Sequence, residues 1–308
     1  MNKIAITSGD PAGVGPEIIE NWVKEKNPLL ESVCLIGPTT WLEHIVEKYS
    51  IATQSVGPKS FQIMAGEPSL TGAEIAMEAL ETAASGCIDK RFSAVVSGPI
   101  SKIWMKRVGF DYPGQTEFFA HRWGGTPVMA FAGGRMRVVL VTWHIPLIDV
   151  AEHLNTDNLA HAIESANQLA IVYGAKQPRI GVCGLNPHAG EEGILGEEEA
   201  LIINPILKKL GGKYPRLSLC QAADTLFWRH LQGEFDIVVA LYHDQGLGPL
   251  KTIDFDTAVN ITLGLPSIRT SPDHGTGFNI AGKGIARHKS LNQAIELAHK
   301  LSSVVLSA

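Results

Sequence analysis

The chain has 308 residues, 45% of them hydrophobic and 19% charged, which is enough apolar material for one large core or two smaller ones. The net charge is -5, and no run of Lys and Arg resembles the basic surface of a nucleic-acid-binding protein, so we expect no nucleic-acid partner. The first residues match neither a signal peptide nor a transit peptide, and no apolar run is long enough to span a bilayer, so we expect a soluble, cytoplasmic protein without a membrane partner.

The first part of the chain alternates predicted strands with predicted helices. Apolar runs indicate strands at 3–8, 33–37 and 92–97, and helical patterns cover 16–26, 39–49 and 71–85. Thr39 is a predicted helix cap, and Pro16 stands early in its helix. A turn at Pro113-Gly114 is a predicted lobe boundary. This alternation is typical of an α/β fold with a largely parallel sheet.

The second part contains three apolar strands that each deliver a histidine at or just past the carboxyl end. They lie within 138–144, 180–188 and 237–243, and the histidines are His144, His188 and His243. Ligands bind at this edge of open α/β sheets, and imidazole is the commonest side-chain metal ligand. A single histidine of this kind is more often a hydrogen-bonded polar residue in a βα turn, but the repetition favours a divalent-metal site.

Helical patterns follow at 156–173, 197–210 and 290–306, and two glycine-rich turns accompany the predicted elements. The turn at 9–17 follows a strand and opens a helix, but it lacks the P-loop ending and the dinucleotide fingerprint. It is therefore either a weak anion-binding turn or a strained βα turn in which Asp10 caps the next helix. The loop at 273–284 is long, rich in small residues and interspersed with polar groups, which favours a functional role.

Seven ordered motifs occupy residues 9–17, 97–99, 113–117, 186–191, 223–225, 242–247 and 269–276. Together they resemble, nearly end to end, the motifs of the 4-hydroxythreonine-4-phosphate dehydrogenase family of vitamin B6 biosynthesis. The 273–284 loop is also similar to the adenosine-binding loop of isopropylmalate dehydrogenases. These resemblances imply two α/β/α lobes of the isopropylmalate dehydrogenase type with a cleft between them. The first lobe would comprise 1–113 plus 275–308, and the second, 114–274, would carry the metal ligands and the dimer contacts.

The resemblance also implies roles for individual residues. His144, His188 and His243 fall on three metal ligands that hold one Zn²⁺, Mg²⁺ or Co²⁺ in an active site at the interface of a homodimer, to which both subunits contribute. The implied substrate-binding residues are Gln115, Thr116, Lys251, Asn260 and Arg269. The implied catalytic residues are Asp224, Asp244 and Lys102. NAD or NADP would contact the loop residues His274, Gly275, Thr276, Asn279 and Gly282.

Some of these residues have simpler interpretations when they are considered without the family. Lys251 and Arg269 would be ordinary surface charges, although a Lys and an Arg together also suit a phosphate or carboxylate. Asp224 could be the N-cap of a helix at 225–231 instead of a partner for a ligand imidazole.

The reaction implied by the resemblance is the oxidation of 4-phosphooxy-L-threonine to 2-amino-3-oxo-4-phosphooxybutanoate. This product is a β-keto acid that loses carbon dioxide to give 3-amino-2-oxopropyl phosphate. Relatives that oxidise 4-phosphorylated threonate or erythronate, or a carboxylated cis-dihydrodiol, are alternatives. A phosphate acyltransferase of related fold is an alternative of another class, and a non-catalytic binding protein is the least favoured.

Two departures from the resemblance bear on specificity. Gln115 stands where the family usually has His, so either this position only orients substrate or the substrate differs. Asn279 stands where the isopropylmalate-type loop commonly has Asp, which weakens the preference for NAD over NADP.

Overall fold

The protein is described by a computed structural model that covers residues 2–305, with side chains through residue 303. The strands, numbered in chain order, are β1 Lys3–Thr7, β2 Val33–Pro38, β3 Ala52–Val56, β4 Phe92–Val96, β5 Val128–Ala132, β6 Arg137–Leu140, β7 Ile180–Cys183, β8 Leu217–Gln221, β9 Ile237–Ala240, β10 Val259–Leu263 and β11 Ile268–Pro272. The α-helices are α1 Gly15–Lys24, α2 Thr39–Val46, α3 Leu70–Ile88, α4 Lys102–Arg107, α5 Gln115–Trp123, α6 Thr156–Val172, α7 Asn204–Leu210, α8 Ala223–Leu231, α9 His243–Asp254 and α10 Lys289–Val305.

The described residues form two compact units, one made of 2–125 with 265–305 and the other of 126–264. The sequence placed the boundaries at 113/114 and 274/275, so the division differs on both sides. Packing explains the difference. Helix α5 buries Phe118 and Phe119 in the hydrophobic core of the first unit, and β11 pairs with β4 of the same unit.

In the first unit the strand order is β3-β2-β1-β4-β11, and every pair is parallel. Successive residues of β1, Ile4, Ala5 and Ile6, are all buried, as expected when both faces of a parallel sheet are covered. Ala5 belongs to the core cluster that includes Ile75 and Ala79 of α3, and α10 contacts β1, β4 and β11. The helices therefore cover the faces of this sheet, and the loops that follow the strands lie at its carboxyl edge.

In the second unit the strand order is β10-β5-β6-β9-β7-β8. The β10-β5 and β5-β6 pairs are antiparallel, whereas β6-β9, β9-β7 and β7-β8 are parallel. Helix α6 contacts β5, β6, β7 and β9, and α8 and α9 also pack on the parallel strands. The predicted α/β class with a largely parallel sheet is confirmed.

Several predicted local details differ from the structure. Thr39 is the first residue of α2 and not its cap, since Pro38 is the N-cap. The helix predicted at 197–210 is a π-helical turn, Glu199–Ile203, followed by α7, whose start coincides with Asn204 and Pro205. The predicted end of the last helix at Leu306 lies outside the described residues. In the described part of the chain, no helix combines the length and the apolar character that a membrane crossing requires.

Candidate active site

The three predicted histidines follow three neighbouring parallel strands, β6, β9 and β7. His144 lies four residues beyond Leu140, the end of β6, and His243 is the first residue of α9, just after β9. His188 lies five residues beyond Cys183, the end of β7. Because the strands are adjacent and parallel, all three histidines follow the same edge of the sheet.

His144 and His243 form a close pair. Their ring centroids are 5.6 Å apart with 37° between the ring planes. Two imidazoles on one tetrahedral ion place their ring centres about 5 Å apart, given metal–nitrogen bonds of about 2 Å. Both histidines line a cavity of about 390 Å³ with Trp143, Leu147 and Tyr242. The pair thus fits two positions of a divalent-metal site that opens into a space for a small ligand.

The neighbouring carboxylate fixes how His243 can bind an ion. Nδ1 of His243 lies 2.8 Å from Oδ1 of Asp244. A carboxylate only accepts hydrogen bonds, so Nδ1 is the donor, and in the neutral imidazole Nε2 is the nitrogen that can bind an ion. Metal-binding histidines usually donate their other ring N–H to a carboxylate, a backbone carbonyl or water, and Asp244 is a partner of the first kind. Asp244, predicted from the sequence as a partner for a ligand imidazole, is therefore placed beside the ring that it would orient.

His188 is placed differently from the other two histidines. It does not line the cavity of His144 and His243, and its side chain is 62% exposed. Its Nδ1 lies 3.2 Å from Oε2 of Glu191, so its Nε2 is again the nitrogen that is available to an ion. Within residues 2–305 no three His, Cys, Asp or Glu side chains converge on one position that could hold a metal. One chain therefore assembles two of the three predicted ligands.

The structure answers the question of whether Asp224 is a helix cap. The N-cap of α8 is Ala222, which makes no side-chain cap hydrogen bond, and Asp224 lies inside the first turn of the helix. The N-cap alternative is therefore wrong. Asp224 is exposed and follows β8, the strand next to β7, so it lies after the same sheet edge as the histidines.

Residues of three sequence motifs, 97–99, 113–117 and 269–276, surround the predicted substrate-binding residue Arg269 in the first unit. Arg269 is 4% exposed, and its Nε donates to Oγ of Ser97 over 2.9 Å. Burial lowers the pKa of Arg269 to about 10, while the carboxylates of Glu117 and Asp273 favour the charged form. The guanidinium is therefore a buried cation that faces internal carboxylates, and not the ordinary surface charge considered from the sequence.

Gln115 connects this cation to the backbone. Its Oε1 accepts from Nη2 of Arg269 over 3.2 Å, and its Nε2 donates to the carbonyl of Gly98 over 3.0 Å. The position requires one acceptor and one donor, a requirement that a neutral imidazole also meets and an imidazolium does not. This geometry supports an orienting role for position 115 over a role in moving a proton.

Three of the motifs singled out in the sequence meet in the first unit. The backbone N–H of Asp10 donates to the carbonyl of Pro99, and that of Val14 donates to the carbonyl of Thr276. The side chain of Asp10 accepts from the N–H of Ala12 over 3.1 Å, and the N-cap of α1 is Val14. The predicted capping of this helix by Asp10 is therefore wrong, and Asp10 instead shapes the turn itself.

The 273–284 loop is fastened to α1 by Glu17. Its two carboxylate oxygens accept from the N–H groups of Gly282 and Ala286 over 2.8 and 3.1 Å. Glu17 and Gly282 also line a cavity of about 540 Å³ together with Trp41 and Gln62. A space of this size beside a glycine-rich loop suits a small-molecule ligand.

The other predicted site residues take the following positions. Thr116 is buried in α5, and Lys102 is the exposed first residue of α4. Nζ of Lys251 lies 5.2 Å from the ring centroid of Phe255, and Asn260 pairs with Phe131 across β10 and β5. Of the remaining loop residues, His274 is half-buried, and Gly275 and Asn279 are exposed.

Sequence reasoning missed three polar or aromatic contributors. Trp143 and Tyr242 immediately precede the paired histidines, and their adjacency was the available signal. Glu17 stood inside the 9–17 motif, which had been interpreted through its glycines, Asp10 and Pro16.

These features define an α/β protein with a histidine pair at a sheet edge and a buried arginine cluster beside glycine-rich turns. The family model for the pyridoxal phosphate biosynthetic protein PdxA matches residues 24–298. The chain belongs to this family, as the sequence motifs predicted.

Individual proteins agree with the family match. The chain is 39% identical to a 4-hydroxythreonine-4-phosphate dehydrogenase from Maricaulis maris, over 98% of both chains. The crystal structure of a 4-hydroxythreonine-4-phosphate dehydrogenase from Klebsiella pneumoniae superimposes with a TM-score of 0.83 at 33% identity, covering 98% of this chain and 100% of the other. A terephthalate 1,2-cis-dihydrodiol dehydrogenase from Burkholderia xenovorans gives a TM-score of 0.73 at 26% identity, over 97% and 98% of the two chains.

Proposed function

We propose that the protein is an NAD(P)-dependent, divalent-metal-dependent dehydrogenase of 4-phosphooxy-L-threonine. The C3 hydroxyl is oxidised to a ketone: its carbon gives a hydride to the nicotinamide, and its oxygen loses a proton to the medium. The product is a β-keto acid, which releases carbon dioxide and leaves 3-amino-2-oxopropyl phosphate. The observation that carries this proposal is the His144–His243 pair, 5.6 Å apart at the sheet edge of a PdxA-family chain.

The residues of the second unit would hold the ion in the following way. Nε2 of His243 is directed by the hydrogen bond between Nδ1 and Asp244, and His144 provides a second imidazole. When bound, the ion would supply an electrophile that acidifies the hydroxyl and polarises the ketone. The cavity beside the pair offers about 390 Å³ for the reacting part of the substrate.

The cofactor site is proposed for the glycine-rich surface of the first unit. The cavity of about 540 Å³ beside Gly282 and Trp41 would take the adenosine end of NAD or NADP. Glu17 keeps the loop against α1 through Gly282 and Ala286. His274, Gly275, Thr276 and Asn279 remain predicted contacts of the same loop. Arg269, Thr116, Lys251 and Asn260 remain predicted substrate contacts, with Gln115 as an orienting residue, and Lys102 and Asp224 remain predicted catalytic residues.

We also propose that the third ligand, His188, comes from a second copy of the chain. His188 is exposed and separate from the cavity of the pair. The elements around it carry exposed apolar side chains, among them Ile194, Leu201 and Trp228, which are 80%, 69% and 64% exposed. The 187–193 turn contacts both the 199–203 turn and α8, so these side chains belong to neighbouring elements around His188. A homodimer would cover this region and deliver His188 to the partner's histidine pair.

The deciding experiment measures reduction of NAD and of NADP with 4-phosphooxy-L-threonine, on metal-free protein and after addition of Zn²⁺, Mg²⁺ or Co²⁺. We expect turnover that depends on the ion and stops with a chelator. Sedimentation of the wild type and of Trp228→Glu tests the dimer, because a charge on this apolar surface should give an inactive monomer. Full turnover by metal-free protein would refute the metal site, and an active monomer would refute the shared site. The cytoplasmic location remains a prediction.

A second candidate function is the oxidation of a related alcohol, either 4-phosphorylated threonate or erythronate or a carboxylated cis-dihydrodiol. Two observations favour this second candidate: Gln115 stands where the family usually has His, and the structure is similar to that of the dihydrodiol dehydrogenase. Testing these substrates in the same assay separates the two candidates, since the true substrate should have the highest kcat/KM. The family match does not favour a phosphate acyltransferase.

A further inference from the structure

We propose that Glu199 is a positioning residue for His188, and that it acts by holding the turn that carries His188 in a left-handed conformation. This inference rests on the proposed role of His188 as a metal ligand. The hydrogen bonds of Glu199 go to Leu185 and Asn186 and not to His188, and Glu199 lies eleven residues further along the chain than His188.

The turn that carries His188 has an unusual backbone. The five residues from His188 to Glu192 have φ angles of 53°, 55°, 81°, 43° and 57°. Four of them carry side chains, and left-handed backbone is unfavourable for L-residues and is rarely adopted by several in succession. Such a conformation persists when the surrounding structure imposes it, and it is found preferentially at functional sites.

Glu199 supplies the restraint. Its side chain is buried, with 2% exposure for the residue, in a part of the chain that is otherwise largely accessible. Oε1 accepts from the backbone N–H groups of Leu185 and Asn186, both over 2.7 Å, and Oε2 accepts from Nδ2 of Asn186 over 2.9 Å. A single carboxylate therefore receives three hydrogen bonds from the two residues that lead into Pro187 and His188, and charge-assisted bonds of this kind are the stronger ones.

The turn closes around this carboxylate so tightly that two glycines are required. A Cβ at Gly190 would lie 2.8 Å from Oε2 of Glu199 and 2.7 Å from the carbonyl of Gly196, and a Cβ at Gly196 would lie 2.3 Å from Nδ2 of Asn186. Glu199 itself begins the π-helical turn Glu199–Ile203. π-Helical turns are rare and are often associated with functional sites.

The backbone of this turn sets the direction of the His188 side chain. Its side chain is largely exposed, and the contact with Glu191 comes from within the same turn, so its direction depends on the backbone beneath it. If the turn relaxed to right-handed conformations, the imidazole would point elsewhere. Glu199 is therefore expected to influence metal affinity without touching the metal, as residues behind ligating groups commonly do.

The test compares Glu199→Ala and Glu199→Gln with the wild type in the full-length protein. Zn²⁺ and Co²⁺ affinities are measured by titration of metal-free protein, and backbone hydrogen exchange is followed across residues 184–196. We expect Glu199→Ala to weaken metal binding by about 10–100-fold and to accelerate exchange in this segment. Glu199→Gln retains an oxygen for Leu185 and Asn186 but sets an NH₂ group against Nδ2 of Asn186, so its loss should be smaller.

A matched control is Asp254→Ala. Asp254 is also a buried acid of the second unit, 7% exposed, and its Oδ2 accepts from the N–H groups of Arg135 and Met136 over 2.9 and 2.8 Å. We expect this variant to lower stability and to leave metal affinity within threefold of the wild type. Equal losses of affinity in both variants would reduce Glu199 to a structural residue and overturn the proposal.

Two further outcomes are decisive. Faster exchange at 184–196 in Glu199→Ala with unchanged metal affinity would overturn the positioning role. If the wild type itself binds no metal, or if His188→Ala binds it normally, the proposed role of His188 fails. In that case hydrogen exchange still tests whether Glu199 restrains the turn that carries His188. Faster exchange in Glu199→Ala supports the restraint, and unchanged exchange overturns it.

Discussion

Replacement of Gln115 tests how the buried arginine cluster contributes to catalysis. Gln115→His keeps one donor and one acceptor when the imidazole is neutral, so both the bond from Arg269 and the bond to Gly98 can re-form. Gln115→Leu removes both. The two variants have similar bulk but opposite hydrogen-bonding capacity, which separates the effect of orientation from the effect of volume.

The magnitudes follow from the two bonds. The neutral bond to the Gly98 carbonyl contributes about 1 kcal/mol, and the acceptor for the buried guanidinium contributes roughly 1.5–3 kcal/mol. Arg269 keeps Ser97 as an acceptor and remains near the charges of Glu117 and Asp273, which favours the lower end of this range. We therefore expect Gln115→Leu to lose about 2.5 kcal/mol of transition-state stabilisation, roughly 70-fold in kcat/KM. Gln115→His should stay within about tenfold, or roughly 1.4 kcal/mol, of the wild type.

The assay is the initial rate of NAD(P)H formation with 4-phosphooxy-L-threonine, together with thermal unfolding of each variant. A gain far above tenfold in Gln115→His would refute both the orienting role and the assignment of this substrate, and it would favour the alternative alcohols. Wild-type activity in Gln115→Leu would show that neither bond matters. The matched control is Gln54→Leu. Gln54 is half-buried and accepts a solvent-exposed hydrogen bond from Nη1 of Arg91 over 3.1 Å, so this variant should leave kcat/KM unchanged.

Further predictions concern the histidine pair and two structural residues. His144→Ala or His243→Ala should abolish measurable metal binding and lower kcat at least 100-fold while the unfolding temperature of the metal-free protein changes little; normal metal content would contradict the assignment. Burial lowers the pKa of His230, which is 3% exposed, so its neutral ring contributes fully to the free energy of unfolding above pH 6.5, the ordinary value of its pKa. The free energy of unfolding should then fall as the pH drops from 6.5 toward the lower pKa of the folded state. Unfolding in urea at several pH values checks this, and His230→Gln should flatten the dependence. Ser69→Ala, which removes the side-chain cap of α3, should cost about 1 kcal/mol in the same urea experiment, and an unchanged midpoint would contradict it.

Sequence patterns predicted the strands that are buried and rich in β-branched residues. The runs at 3–8, 92–97 and 237–243 contain β1, β4 and β9, each buried at nearly every position of the strand. Strands β3 and β8 were missed because they mix polar with apolar residues and are partly exposed at the two ends of the strand order, where the side-chain pattern is weak. The antiparallel β10-β5-β6 arrangement was also missed, since it depends on long-range pairing that no local period encodes.

The candidate site was predictable where it depends on the positions of buried strands. Strand ends indicated where His144 and His243 lie, because parallel neighbours deliver their following residues to one edge. The distinct placement of His188 was not predictable, since its left-handed turn is imposed by a glutamate that lies beyond the motif. The burial of Arg269 was equally hidden, because the carboxylate of Glu117 and the hydroxyl of Ser97 come from distant parts of the sequence.

The discontinuity of the first unit affects how the protein folds as it is synthesised. Strand β11 and helix α10 complete a sheet whose other strands lie before residue 97, whereas the second unit is formed by the uninterrupted segment 126–264. A nascent chain therefore has all the residues of the second unit before the first can close. During that interval the strand β4 presents an unpaired edge, which is a site for mispairing and for chaperone binding. Residues 265–305 thus decide when the first unit becomes resistant to aggregation, and they also carry Arg269 and the 273–284 loop proposed for substrate and cofactor binding.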